Sequence, residues 1–179
     1  MIILGIDPGL SSTGYGVVRI EKGEPHYVDC GGIETPSGTQ LSWRLARIYQ
    51  EVAAIIAQRR PGVVAMEQLF FNTNVKSAMA VGEARGAIML AAEHAGVPAI
   101  DYTPLQIKQA VAGYGKADKG QVAFMVRSLL RISDIPSDHA SDALAAAICH
   151  LHHMGLAARL SVVEPAPAKK KPTREKTNQ

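Results

Sequence analysis

The segment "IILGIDPGLSSTGYGVV", residues 2–18, constrains the fold more than any other stretch of the chain. Ile2, Ile3, Leu4 and Ile6 form a short apolar run rich in β-branched residues, which reads as a buried strand. The run ends on an acid, Asp7. Pro8, Gly9 and two serines supply turn chemistry, and Val17 and Val18 resume the apolar pattern. The implied unit is a pair of strands, residues 2–7 and 13–20, around a glycine-rich turn. A carboxylate at the end of such a run is costly to bury unless something positive faces it. Asp7 is therefore a candidate for chemistry.

The same signature recurs once. "GVVAME", residues 62–67, is a short apolar strand that also ends in an acid, Glu67. Around these two strands, residues 26–34 read as a third strand and 35–40 as a loop. Apolar residues at 41, 45, 48, 52, 55 and 56 mark a helix that stops near Arg60 and Pro61. A long Ala- and Gly-rich helix covers residues 75–95, and a strand follows at 97–102. Thr103 before Pro104 is a helix start, and that helix runs to about Gly113. A basic loop, residues 113–120, leads to a helix at 121–131. Ser137 caps a last helix, which carries Asp138, His139 and Asp142 in its first two turns.

Strands joined by short turns pair antiparallel, whereas strands separated by helices form parallel crossovers. The expected fold class is therefore α/β, a mixed sheet flanked by helices. Residues 1–160 read as one domain. Residues 161–179 read as a basic tail with too little apolar surface to order.

Composition narrows the function classes. The net charge of +3 permits nucleic acid as a partner without demanding it. No run is long and apolar enough for a membrane span. The N-terminus lacks a secretory signal. Cys30 and Cys149 read as reduced thiols rather than a bridge, so the expected location is the cytoplasm.

If the strands ending in Asp7 and Glu67 are neighbours, their carboxylates meet, and like charges at that range need a cation between them. His139 and Asp142 are three apart on one helix face and can complete a four-ligand cluster. Such donors suit Mg²⁺ or Mn²⁺. Two ions about 4 Å apart can clamp the attacking and leaving oxygens of a phosphodiester. Each residue also has an ordinary reading: Asp7 as a turn residue, Glu67 as a partner for a lysine, and Asp138 or His139 as helix N-terminal polar groups.

The motifs "GIDPGLSSTGYGVV", "AMEQLFFN", "GEARGAI", "TPLQIKQAVAGYGKADKGQV" and "DHASDALAAAI" resemble, in order and spacing, those of the RuvC family of Holliday-junction resolvases. The resemblance runs from Met1 to about His153. It implies a ribonuclease-H-like fold and a homodimer that nicks two opposed strands of a four-way junction using divalent metal, beside the RuvA–RuvB branch-migration complex. It implies that Asp7, Glu67, His139 and Asp142 are catalytic metal ligands, with His139 standing where the family often has Asp. That exchange suggests a shift of preference toward Mn²⁺. Phe70 matches a base-stacking wedge, with Phe71 beside it. Lys108 and Lys119 match lysines near the scissile phosphate, and Arg85 and Lys116 are further candidates for contact with the DNA backbone.

One rival shares the Asp-x-Gly turn between strands: the actin-like and sugar-kinase ATPases. This chain shows no second glycine-rich phosphate turn, and its late helix carries an acid that an ATPase does not need.

Overall fold

The computed structural model describes residues 1–68 and 75–161. β1 (Ile2–Asp7) pairs antiparallel with β2 (Ser12–Glu21), which pairs antiparallel with β3 (Glu24–Glu34). Lys22 and Gly23 join β2 to β3, both with positive φ, at 52° and 84°. Two such residues make the tight turn whose twist matches a hairpin. This is why β3 starts at Glu24, two residues before the sequence pattern placed it. β4 (Val63–Glu67) then pairs parallel with β1, and β5 (Ala99–Tyr102) parallel with β4. The sheet order is β3-β2-β1-β4-β5. The expected meander and crossovers are both present.

Two helical layers sandwich this sheet. α1 (Leu41–Arg59) and α2 (Val75–His94) cover one face. There Ile48, Val52, Ile56, Ala84 and Ile88 meet Leu4, Ile6, Val17, Val64 and Met66. α3 (Pro104–Ala112), α4 (Lys119–Leu130) and α5 (Asp138–Ser161) cover the other. Their Ile107, Val111, Val122, Val126, Leu144 and Ile148 pack on Ile3, Val18, Val63 and Ala65. α4 begins at Lys119 rather than near Gln121, because Asp118 caps it reciprocally with Gln121.

α5 is the organising helix. It runs across β1, β2 and β4 and touches the sheet nearly backbone to backbone. A Cβ on Gly5 would collide with the Ala143 carbonyl, one on Gly14 with the His139 carbonyl, and one on Gly16 would lie 2.7 Å from the Leu144 side chain. Gly14 and Gly16 fall inside the strand that the sequence placed at residues 13–20. They lie inside β2 and give α5 room to approach.

α5 also carries a group of histidines. His150, His152 and His153 cluster in the sequence, and the helix that carries them continues to Ser161. His150 is buried in mid-helix, its Nδ1 2.7 Å from the Tyr102 hydroxyl, and His153 Nδ1 lies 3.0 Å from the Cys149 carbonyl. Their neighbours are protein groups, which satisfies them without a ligand. Both cysteines are free thiols. Among the described residues, no helix is long and apolar enough to cross a membrane. The tail from residue 162, and Phe70 and Phe71, lie outside the described residues.

Candidate active site

Strand alternation settles which way the two acids point. Side chains of a strand face one side every second residue. In β1, Ile3 packs toward α5 and Gly5 lies under Ala143, so Asp7 belongs to that face. In β4, Val63 and Ala65 pack on the same side, which sends Glu67 there too. The parallel register pairs Gly5 with Ala65 and Ile6 with Met66, so Asp7 and Glu67 come level one step later. Neighbouring strands are about 4.8 Å apart. The two carboxylates are therefore close by construction.

The start of α5 brings the other two groups. Ser137 Oγ accepts from the Ala140 N–H at 3.1 Å and fixes the first turn. His139 Nδ1 lies 2.7 Å from Asp7 Oδ2. With Nδ1–H donating to Asp7, the Nε2 lone pair remains available as a ligand. Asp142 Oδ2 lies 3.3 Å from Lys119 Nζ, and Asp138 Oδ2 lies 3.2 Å from the same nitrogen. Asp138 and Asp142 are one helical turn apart and share one ammonium.

The electrostatics show what is missing. Burial, then the charges of Asp7 and Asp142, push the Glu67 carboxyl up to about 7. Burial also raises Asp7, against the pull of His139, and raises Asp142, against the pull of Lys119. Three partly buried acids with raised proton affinity are a site short of positive charge. Their oxygens and the free imidazole nitrogen fit a hard divalent cation. In this arrangement they do not enclose an ion: no three His, Cys, Asp or Glu side chains among the described residues are gathered as a ligand set. Asp7 is turned to His139, and Asp142 to Lys119.

A stability prediction follows from Glu67. Its folded value lies above its ordinary 4.5, so the folded chain holds a proton that the unfolded chain has released between roughly pH 4.5 and 7. The stabilisation is complete below about pH 4.5 and is lost as the pH rises through about 7. In chelator at pH 8, Glu67→Gln should therefore melt about 3–6 °C above the parent chain. At pH 5 the difference should shrink. Thermal denaturation followed by circular dichroism at both pH values checks this.

Lys108 and Lys119 line a cavity of about 260 Å³ together with Glu67, Asp142, Pro104 and Ile107. Thr103 explains where Lys108 sits: its capping box with Gln106 starts α3 directly after β5, at the edge where Glu67 ends β4. Lys116 is exposed but does not line this cavity. Arg85 departs from expectation. Its side chain is only 12 % exposed, pairs with Asp101, and donates to the Glu67 carbonyl at 3.0 Å. The guanidinium is committed to the protein, bracing the end of β4 rather than reaching for a phosphate.

One buried residue escaped the sequence reading. Arg44 leads the buried stripe Arg44, Ile48, Val52, Ile56 of α1. The signal was its position one turn before Ile48 on the apolar face, where a charged residue is uncommon.

The family model "Crossover junction endodeoxyribonuclease RuvC" matches residues 3–150 of the chain. The chain belongs to the RuvC family. A RuvC of Rubrobacter xylanophilus is 51% identical over 165 residues, covering 92% of each chain. Among solved structures, T. thermophilus RuvC in complex with Holliday junction substrate superposes with a TM-score of 0.84 at 37% identity, covering 88% of this chain and 96% of that one. Thermus thermophilus RuvC in a second structure gives 0.82 at 38% identity, covering 88% and 97%. The mixed sheet with α5 across it is therefore the ribonuclease-H-like arrangement of RuvC, and the edge bearing Asp7 and Glu67 is the one that the RuvC motifs mark.

Proposed function

We propose that this chain resolves four-way DNA junctions by hydrolysing phosphodiesters in two opposed strands, in recombination and repair. The observation that carries this reading is the level placement of Asp7 and Glu67 on adjacent parallel strands, with Asp142 brought over them by α5. The two lysines beside them supply the second requirement of a nuclease, charge for the phosphate. The junction comes from the family: the T. thermophilus relative is described in complex with Holliday junction substrate.

Asp7, Glu67, Asp142 and His139 would hold two divalent ions, Mg²⁺ or Mn²⁺. Such ions would supply activation of water and neutralisation of the leaving oxygen. The chain's own residues do the rest. Lys108 and Lys119 neutralise the phosphate beside the acids. Lys119, which pairs with Asp142 and Asp138 here, would turn to the phosphate where a cation is held by the carboxylates. Arg85 keeps the Glu67 strand end from swinging, and Gly14 lets His139 sit against Asp7. Phe70 would stack on a base at the opened crossover, an exchange worth about 1–3 kcal/mol.

Two equivalent strands call for two equivalent sites, so a two-fold homodimer suits the task. On α2, Met79, Met89 and Leu90 are exposed and apolar, as a helix used between subunits would be. The RuvA–RuvB machine is the corresponding upstream partner, and the cytoplasm the corresponding location.

The test is a mobile synthetic four-way junction incubated with the chain in Mg²⁺ or Mn²⁺, beside linear duplex and single strand. Paired nicks in the junction alone are the expected result. Equal cutting of all three substrates, or none, would overturn the reading. His139 allows a finer prediction: imidazole is a softer donor than carboxylate, so His139→Asp should shift the Mn²⁺/Mg²⁺ rate ratio toward Mg²⁺ by about threefold or more. Cleavage rates of both proteins in each metal decide it.

A further inference from the structure

Arg44 poses a problem that the catalytic acids do not solve. Its side chain is nine-tenths buried, with 8% exposure for the residue. Nε donates to Thr35 Oγ1 at 2.9 Å, and Nη2 donates to Ser11 Oγ at 2.9 Å and to the Thr35 carbonyl at 3.2 Å. All of these acceptors are neutral. Among the described residues no carboxylate pairs with Arg44, and Nη1 makes no hydrogen bond. A buried guanidinium is ordinarily matched by an acid. Here its charge is passed to a hydroxyl.

That hydroxyl belongs to an exposed residue. Ser11 is exposed, and because Oγ accepts from Arg44, its own O–H proton is free to point outward. The turn that carries Ser11 begins right after Asp7, so it lies on the catalytic edge of the sheet. β3 ends on the same edge, since Glu34 pairs with Ser12, and α1 starts a few residues on. The first turn of α1 holds no acid, and Gln40 gives it no side-chain cap, so its N–H groups also face this edge unmatched. The nearby acids are engaged elsewhere: Glu34 accepts the Ser12 hydroxyl at 2.6 Å, and Asp7 is bound to His139.

We propose that Ser11, charged from behind by Arg44, is a seat for a DNA backbone phosphate, on the β2–β3 side of the catalytic acids and opposite the lysines of α3 and α4. This rests on the junction-nuclease reading for the identity of the anion. A phosphodiester fits because it brings the missing negative charge and an acceptor oxygen for Ser11, without the bulk that a closed pocket would require. With the two lysines on the far side, the acids would lie under a strand held at two points.

Ser11→Asp separates this seat from a purely structural brace, because the two readings predict opposite results. A carboxylate at position 11 gives Arg44 its missing partner, so the melting temperature should hold or rise. The same carboxylate repels a phosphate, so affinity for a fluorescent junction in chelator should fall at least tenfold. Ser11→Ala should lower it about threefold with the melting temperature unchanged. Ser37→Asp, also exposed on the loop before α1, is the control for general repulsion and should cost less than twofold. Arg44→Gln should reduce the slope of log affinity against log salt by about 0.9; if that variant does not fold, the Ser11 variants decide. Unchanged affinity in Ser11→Asp, an equal loss in Ser37→Asp, or a loss accompanied by a fallen melting temperature would overturn the seat. All variants are also measured on linear duplex. The seat should register there even if the parent chain proved unable to resolve junctions, so the two readings fail separately.

Discussion

Asp7→Asn is expected to stop junction cleavage, lowering the single-turnover rate by about 10³-fold or more, while the fold and junction binding survive. The reasoning is one of charge rather than shape. The amide keeps the size of the carboxylate and can still bond His139, so the contact between β1 and α5 is retained. Burial already disfavours the ionised form of Asp7, so a neutral side chain costs the fold little. What is lost is one of the negative charges that would hold a divalent ion against the scissile phosphate, and catalytic electrostatics of that kind are worth orders of magnitude. Binding measured in chelator should hold or tighten, because a negative charge leaves the surface that meets DNA. A residual rate within tenfold of the parent would remove Asp7 from the mechanism.

The second large effect is one of packing. Gly14→Ala puts a methyl group 2.9 Å from His139 Cβ and in collision with the backbone carbonyl of the same residue. Gly5→Ala drives into the Ala143 carbonyl. Backbone cannot step aside as a side-chain tip can, so each change should cost about 3 kcal/mol or more, at the upper end of overpacking effects. For a chain of this size that is a fall of about 6–12 °C in melting temperature. Gly155→Ala is the comparison within the same helix. Nothing lies within 4 Å of a Cβ there, and the change should stabilise by about 0.5–1 kcal/mol. Gly14→Ala should also displace His139 from Asp7, so its cleavage rate should fall further than its stability explains. Melting curves and single-turnover rates on the three variants check both statements.

The strands and helices were legible because each carried a local signal: an apolar run of the right length, a Thr-Pro start at α3, a serine before α5. The direction of Asp7 and Glu67 followed from period-two alternation once the pairing was known. Why the second strand carries Gly14 and Gly16 could not be read, because the helix that needs the space lies more than a hundred residues on. The surroundings of Arg85 were not legible either: "GEARGAI" does not reveal that Asp101, on a strand of the sheet, pairs with the guanidinium. Arg44 went unread because its solution is distributed over Ser11 and Thr35, far off in the chain. The pairing of Asp138 could not be read because its partner, Lys119, belongs to a different helix.

At Gly5 and Gly14 the backbone of α5 meets the sheet with no side chain between, while Leu144 and Ile148 fill the space alongside. An element seated on bare main chain has no soft coordinate along which to slide or roll. The groups it carries are fixed to the strand ends as rigidly as teeth to a jaw. Whatever accommodation turnover demands must then be made by the nucleic acid, which has to bend to the enzyme.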